Sequence, residues 1–245
     1  MRVTMIGHST VLIESAGKKI LTDPFFGPRG NPAYMRVTPP AQSREAFYGV
    51  DIMLVSHHHW DHVDAKLLRA LPANVPVLVP KAATGFARLF GARNPVGLKP
   101  WESRQFNTDN VSSSSADIVG VTAIPAVHFA ITHGFVITGE GRQTYFAGDT
   151  FYAPFMAEVG RRFRLDVALI PVTTFRIPMT MGEKQAVRAV QDLKPRIVIP
   201  IHLGVQPRSP LLRTNHTPEG FIRRLREAGL ETDVALLQIG ESETF

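Results

Sequence analysis

The chain has 245 residues, 44% of them hydrophobic, which suits one large α/β domain with a sizeable core and excludes an intrinsically disordered protein. It has no cysteine, so disulfides, thiolate metal ligands and a thiol nucleophile are excluded, and any metal must be held by His, Asp or Glu. The net charge of +6 admits anionic substrates, headgroups or nucleic acid, but Arg161-Arg162-Phe163-Arg164 and Arg223-Arg224-Leu225-Arg226 fall in predicted helices and form no basic stripe; no nucleic-acid partner is expected.

Residues 2–6, 10–14 and 19–22 read as short β runs, the first ending at Gly7-His8 and the third at Asp23-Pro24. Residues 25–49 are rich in Gly and Pro and read as a long loop, whose Arg29, Tyr34 and Arg36 are candidate substrate contacts or ordinary surface residues. A buried strand follows at 50–55, then a helix at 64–70, a strand at 75–79 and a helix at 82–90 closed by Gly91. Residues 100–116, with the run Ser112–Ser115, read as an irregular hairpin or loop. Beyond them come strands at 118–126, 134–138 and 143–147, the last two a hairpin around Gly139-Glu140-Gly141, and a helix at 153–163. A strand at 166–172, helix at 182–193, strand at 196–201, helix at 218–228 and strand at 234–239 complete the chain. The alternation predicts a single α/β layered domain over 1–245, with no linker or repeat.

No stretch approaches the ~18 apolar residues of a transmembrane segment. The start is too short and broken an apolar run for a signal peptide. A cytoplasmic protein is expected, with Asn110-Val111-Ser112 and Asn215-His216-Thr217 as chance sequons.

The densest signal is Ser56-His57-His58-His59-Trp60-Asp61-His62, at the end of the strand 50–55. Alternate residues of an extended chain share a face, so His57 and His59 point one way and His58 and Trp60 the other, away from the site. A turn after Trp60 swings Asp61 and His62 back over the same spot. Imidazole and carboxylate are the donors that zinc and similar divalent ions prefer. Other β runs also end in such groups: His8, Asp23, His128, Asp149 and His202. In α/β sheets ligands collect outside the carboxyl ends of strands. His133, five residues past His128, competes with it for a ligand place; His128 is preferred because it follows its strand directly. His216 is expected merely to be exposed.

These residues resemble the metallo-β-lactamase superfamily: His57-x-His59-x-Asp61-His62, a later His after a strand, Gly148-Asp149-Thr150 and Pro200-Ile201-His202. Gly7-His8-Ser9-Thr10, Leu21-Thr22-Asp23-Pro24 and Met181-Gly182-Glu183 are similar to the ascorbate-6-phosphate lactonase-like group, and the start also to the N-acyl-phosphatidylethanolamine phospholipase D-like group. The resemblance implies an αββα sandwich with two divalent ions, zinc foremost and manganese or iron as alternatives. It implies that His57, His59 and His128 hold one ion, that Asp61, His62 and His202 hold the other, and that Asp149 bridges them. His8, Asp23 and His133 are then left to orient ligands or to touch substrate. The expected activity is hydrolysis of a small anionic ester, a lactone or phosphodiester, by a hydroxide held between the ions and oriented by Asp61. A small-molecule substrate is the expected partner, and a homo-oligomer is compatible with it. The competing readings are an iron-dependent oxidoreductase similar to persulfide dioxygenases, which share the H-x-H-x-D-H motif, and a non-catalytic metal-binding protein, whose signature would be a missing ligand.

Overall fold

The computed structural model describes residues 1–27, 30–107 and 118–245. Arg29, the sequon at Asn110 and the serine run at 112–115 lie outside the described residues.

The first sheet is built from β1 (Arg2–Gly7), β2 (Thr10–Ser15) and β3 (Lys18–Thr22), an antiparallel meander. Beyond β4 (Tyr34–Arg36), β5 (Ile52–Leu54), β6 (Val77–Pro80) and β7 (Pro95–Leu98) extend it in parallel. The second sheet joins β8 (Ser103–Asn107), β9 (Ile118–Pro125), β10 (His133–Gly139) and β11 (Arg142–Phe146), all antiparallel, to the parallel strands β12 (Val167–Pro171) and β13 (Ile197–Ile201). Past β14 (Val205–Pro207), which pairs with β4, the short β15 (Asp233–Val234) lies beside β13, and β16 (Ser242–Thr244) closes the first sheet beside β1.

Why the sheets stack is visible in their inner faces. Val3, Val11, Ile13, Ile20, Leu54 and Leu78 of one meet Val121, Phe135, Ile137, Phe146, Leu169 and Ile199 of the other in one dry cluster. Burying each such side chain contributes about 1.5–3 kcal/mol relative to leaving it in water. The outer face of the first sheet is covered by α1 (Ala65–Ala70) and α2 (Thr84–Phe90), with Met53 and Val79 under Leu67, Leu68 and Ala87. The second is covered by α3 (Phe155–Arg162), α4 (Glu183–Leu193) and α5 (Pro218–Glu227), with Ala168 and Ile170 under Val159, Ala186, Val190 and Phe221. The architecture is therefore the expected α/β sandwich of layers α, β, β, α.

Local chemistry sets where the helices begin. Asp64 accepts the Leu67 N–H at 2.9 Å as the N-cap of α1 and is itself held by Arg44, whose Nη2 lies 2.8 Å from it. Thr217 caps α5 through the Gly220 N–H at 3.0 Å, with Pro218 at the first helical position. Glu183 opens α4, and its buried carboxylate accepts the Thr217 N–H at 3.0 Å and the Arg224 Nε–H at 2.7 Å, tying α4 to α5.

Several expected boundaries change. The loop 25–49 contains β4 and a 3-10 turn at Arg44–Phe47. Strands β7 and β8 appear where none or an irregular hairpin is expected, and the final strand reduces to β15, with β16 after it. Most of β8 is exposed along a sheet edge, so it carries no hydrophobic alternation to read. Among the described residues no helix is long and apolar enough to cross a membrane.

Candidate metal centre

The strands β1, β3, β5, β9, β11 and β13 each deliver a polar residue past their carboxyl ends. His8 sits in the turn after β1, Asp23 follows β3, and His57 to His62 follow β5. His128 follows β9, Asp149 follows β11, and His202 follows β13. His8, Asp23 and His202 have φ of 58°, 32° and 65°, a left-handed backbone rare outside glycine. The turns are knitted together: the His202 N–H donates to His8 O at 3.1 Å, and the Asp23 N–H donates to Leu54 O at 2.9 Å. Gly148 is required just before Asp149, because a Cβ there would come within 2.5 Å of Ser56 Cβ.

Besides an overlapping set of Asp23, His57 and His62, two groups of ligand-capable atoms result, the atoms of each lying within 4.8 Å of one another: His57, His59 and His128 in one, and His8, Asp61, His62 and His202 in the other. Asp149 stands between them. Its Oδ2 is 3.2 Å from His202 Nε2, 3.5 Å from His62 Nε2 and 3.9 Å from His128 Nε2. His128 Nε2 also lies 3.1 Å from His59 Nδ1.

The proton positions on the rings follow from their outer partners. Asp23 accepts the Ser56 N–H at 2.6 Å through one oxygen, and the Ser56 hydroxyl at 2.6 Å and His62 Nδ1–H at 2.7 Å through the other. The Ser56 hydroxyl, having given its proton to Asp23, accepts from His57 Nδ1 at 2.9 Å. Both imidazoles therefore turn Nε2 inward, bare on His57 and bare on His62 once its second proton leaves, and both Nε2 atoms are buried with no hydrogen-bond partner among the described residues, as is Asp149 Oδ1. Orphaned inward lone pairs on histidines braced by a carboxylate and a hydroxyl are what a cationic centre needs. The donor set fits divalent metal ions.

Electrostatics agree. Burial lowers His57 well below the ordinary histidine value, lowers His59, and lowers His128 to about 4. Burial lowers His8 to about 3, helped by His202 and partly offset by Asp61. Burial opposes charge on His62 too, but Asp149, Asp23 and Asp61 outweigh it and raise its pKa well above the usual value. Burial likewise disfavours ionised Asp61 and Asp149, yet their histidine neighbours, His62 for Asp61 and His202 with His62 for Asp149, hold both below the carboxylate range.

The remaining candidates are placed as follows. His133 begins β10 behind the cluster, its backbone N–H donating to Ser56 O at 3.1 Å, and it joins neither ligand group; burial lowers its pKa. His58 turns outward and stacks on Phe86 at 4.5 Å, and Trp60 packs edge-on against Phe25 at 5.1 Å. Tyr34 packs on Phe175 at 5.4 Å. Arg36 is not a free cation at the mouth: its guanidinium lies 3.4 Å from the Phe25 ring centroid, bonds Phe25 O at 2.6 Å, and is lowered to about 10 by burial. His216 is not simply exposed either. It packs against Gly182, where a Cβ would come within 2.8 Å of the ring.

Two participants escape a reading of the sequence alone, Ser56 and Gly204, although each lies within two residues of a histidine of the site. A third feature is the apolar rim: Val127, Phe129 and Ile131 flank His128 and are exposed, as is Leu203 next to His202.

Residues 2–202 match the family model described as the Beta-lactamase superfamily domain. Over 98% of both chains the protein is 33% identical to a UPF0173 metal-dependent hydrolase of Pyrococcus abyssi. It is 32% identical to another such hydrolase from Aeropyrum pernix, covering 100% of this chain and 97% of that one. Its fold is similar to that of Igni18, a metallo hydrolase from Ignicoccus hospitalis, with a TM-score of 0.76 at 24% identity over 100% of this chain and 97% of that one.

Proposed function

Because the chain belongs to the beta-lactamase superfamily and is a metal-dependent hydrolase, we propose that it works with two divalent ions, zinc foremost, on a small ester such as a lactone or phosphodiester. The observation that carries the two-ion reading is the shared carboxylate: Asp149 Oδ2 approaches His128 of one ligand group and His62 and His202 of the other. His57, His59 and His128 would hold the first ion, and Asp61, His62 and His202 the second. Divalent cations there would act as Lewis acids, polarising a scissile carbonyl or phosphoryl oxygen and acidifying water.

The chain's own residues supply the rest. Asp61 is ionised and buried beside His8 and His62, where its carboxylate orients the attacking water by accepting its hydrogen bond. Asp23 and Ser56 fix the His57 and His62 rings so that neither reorients during turnover. The net charge of +6 supports an anionic substrate by steering. Arg36, committed to Phe25, adds nothing to that preference. The rim of Val127, Phe129 and Leu203 supports a substrate whose unreactive part is apolar.

The test is a panel of lactones, phosphodiesters and acyl esters on metal-reconstituted protein, with matched anionic and neutral members assayed across salt concentration. Hydrolysis that depends on added metal, with an anion preference that falls as salt rises, is expected. Oxygen consumption by an iron-loaded protein without ester hydrolysis would overturn the reading.

A further inference from the structure

The histidines of the site are not equivalent, and the difference lies in which nitrogen carries the proton. His57 and His62 are braced at Nδ1 by acceptors, so Nε2 is the nitrogen each offers to an ion, bare on His57 and bare on His62 once an ion displaces its proton. His8 is braced at Nδ1 by a donor: the backbone N–H of Gly204 points at it from 3.1 Å, 196 residues away along the chain. An Nδ1 that accepts a hydrogen bond in a neutral imidazole has no proton, so the proton sits on Nε2. His8 Nε2 is buried with no hydrogen-bond partner among the described residues; Asp61 Oδ2 stands 3.4 Å away without the alignment of a hydrogen bond. The ring and its backbone are closely packed against the turn after β13. Its backbone O holds the His202 N–H, its ring centroid lies 4.2 Å from that of His202 at a 46° tilt, and Gly204 is pressed so close that a Cβ there would be 2.9 Å from His8 Cβ.

We infer that His8 is not a metal ligand but a catalytic residue that donates a hydrogen bond from Nε2–H to the substrate oxygen on which negative charge develops as water adds. Although His8 places a nitrogen within 4.8 Å of ligand-capable atoms of Asp61, His62 and His202, that nitrogen presents a proton where a cation needs a lone pair. A fixed, desolvated donor aimed at the reacting centre is the arrangement that stabilises an oxyanion. A buried N–H left without an acceptor is costly, and a substrate oxygen removes that cost only when it arrives. No proton is transferred; the step is a hydrogen bond that strengthens as charge develops. The role rests on the hydrolase reading above for the identity of the oxyanion, whereas the tautomer does not.

Two measurements on the zinc-loaded protein test this. Nitrogen-15 NMR of the histidine rings should show His8 with a bare Nδ1 and a protonated Nε2, the opposite of His57 and His62. Inorganic phosphate, used as an oxyanion probe, should shift the His8 Nε2–H resonance. It should bind about tenfold more weakly to His8→Phe at unchanged zinc content. His8→Gln, which keeps an N–H at similar reach, should recover much of that binding. A His8 ring protonated at Nδ1, or a fall in zinc content in His8→Phe, would make His8 a ligand and overturn the inference. Unchanged zinc content with unchanged phosphate affinity would make it merely structural and overturn it equally. Failure of the hydrolase reading would look different: no turnover of any ester, with tautomer and phosphate results as expected.

Discussion

His62 donates its Nδ1–H to Asp23 Oδ2 at 2.7 Å, and both side chains are fully buried. The same carboxylate holds the Ser56 hydroxyl that braces His57. One aspartate therefore sets the orientation of one histidine in each metal-binding group. Asp23→Asn keeps the shape and suits the left-handed backbone at that position, but puts an amide N–H where an acceptor is needed. Metal affinity measured by chelator competition should fall about 10–100-fold, with the fold intact by circular dichroism. Unchanged affinity would mean that the histidines orient themselves without Asp23.

The metal count follows from the shared carboxylate. Elemental analysis after mild reconstitution should return about two divalent ions per chain. Asp149→Asn should abolish most activity and weaken the second ion, because a neutral amide no longer offsets two neighbouring cations. A firm value of one ion per chain, the same in His202→Ala, would contradict the two-ion centre.

The histidine pKa values give the pH response of the metal-free protein. His8, His57, His59, His128 and His133 are lowered by burial from 6.5, so in the fold they stay neutral at a pH where the unfolded chain protonates them. Unfolding then takes up protons, and stability rises with pH in that range. His62 runs the other way: its raised pKa adds stability below 6.5, which is lost as pH rises through its folded value. Below 6.5 the contribution of His62 is already complete, so the lowered rings set the slope there. Chelator-treated protein should lose stability as pH falls below 6.5, with a further loss below 3.8 as Asp61 and Asp149 are protonated. Thermal melts across pH measure this; a flat profile from pH 7 to 5 would contradict it.

Metal binding has its own proton signature. A ligating imidazole must be neutral, and His62 is the ring held protonated. Above pH 6.5, uptake should release about one proton per chain, mainly from His62, and affinity should rise with pH. Calorimetry in buffers of different ionisation enthalpy counts the protons. No release would place the proton elsewhere.

Glu183 joins α4 to α5 far along the chain from the histidine cluster. Glu183→Ala leaves the Thr217 N–H and Arg224 without their shared acceptor. Because Arg224 can turn to solvent, the expected loss is about 2 kcal/mol, read as a lower urea midpoint at unchanged slope.

Much of this was legible in the residues alone. The αββα layering follows from where apolar periods change, and the spacing His57-x-His59-x-Asp61-His62 places four donors at one strand end. The strands that escaped are short or exposed: β8 shows one partly buried residue in five, and β14 is three residues held by its pairing with β4. What no local pattern encodes is the direction of a hydrogen bond. His8 and His62 are the same residue type, both buried, and differ because Gly204 offers a donor to one and Asp23 an acceptor to the other. Arg36 is a similar case. A loop arginine near a site suggests an anion contact until the Phe25 ring is found beneath it.

The left-handed backbone at His8, Asp23 and His202 has an evolutionary side. Such a conformation costs an ordinary residue about 1–2 kcal/mol that glycine does not incur. All three positions fall on side chains that the site uses, so selection for stability alone would drift toward glycine or asparagine there and erase the centre. A library screened only for heat resistance should enrich such replacements, whereas one screened for turnover should retain the strained residues and gain its robustness elsewhere.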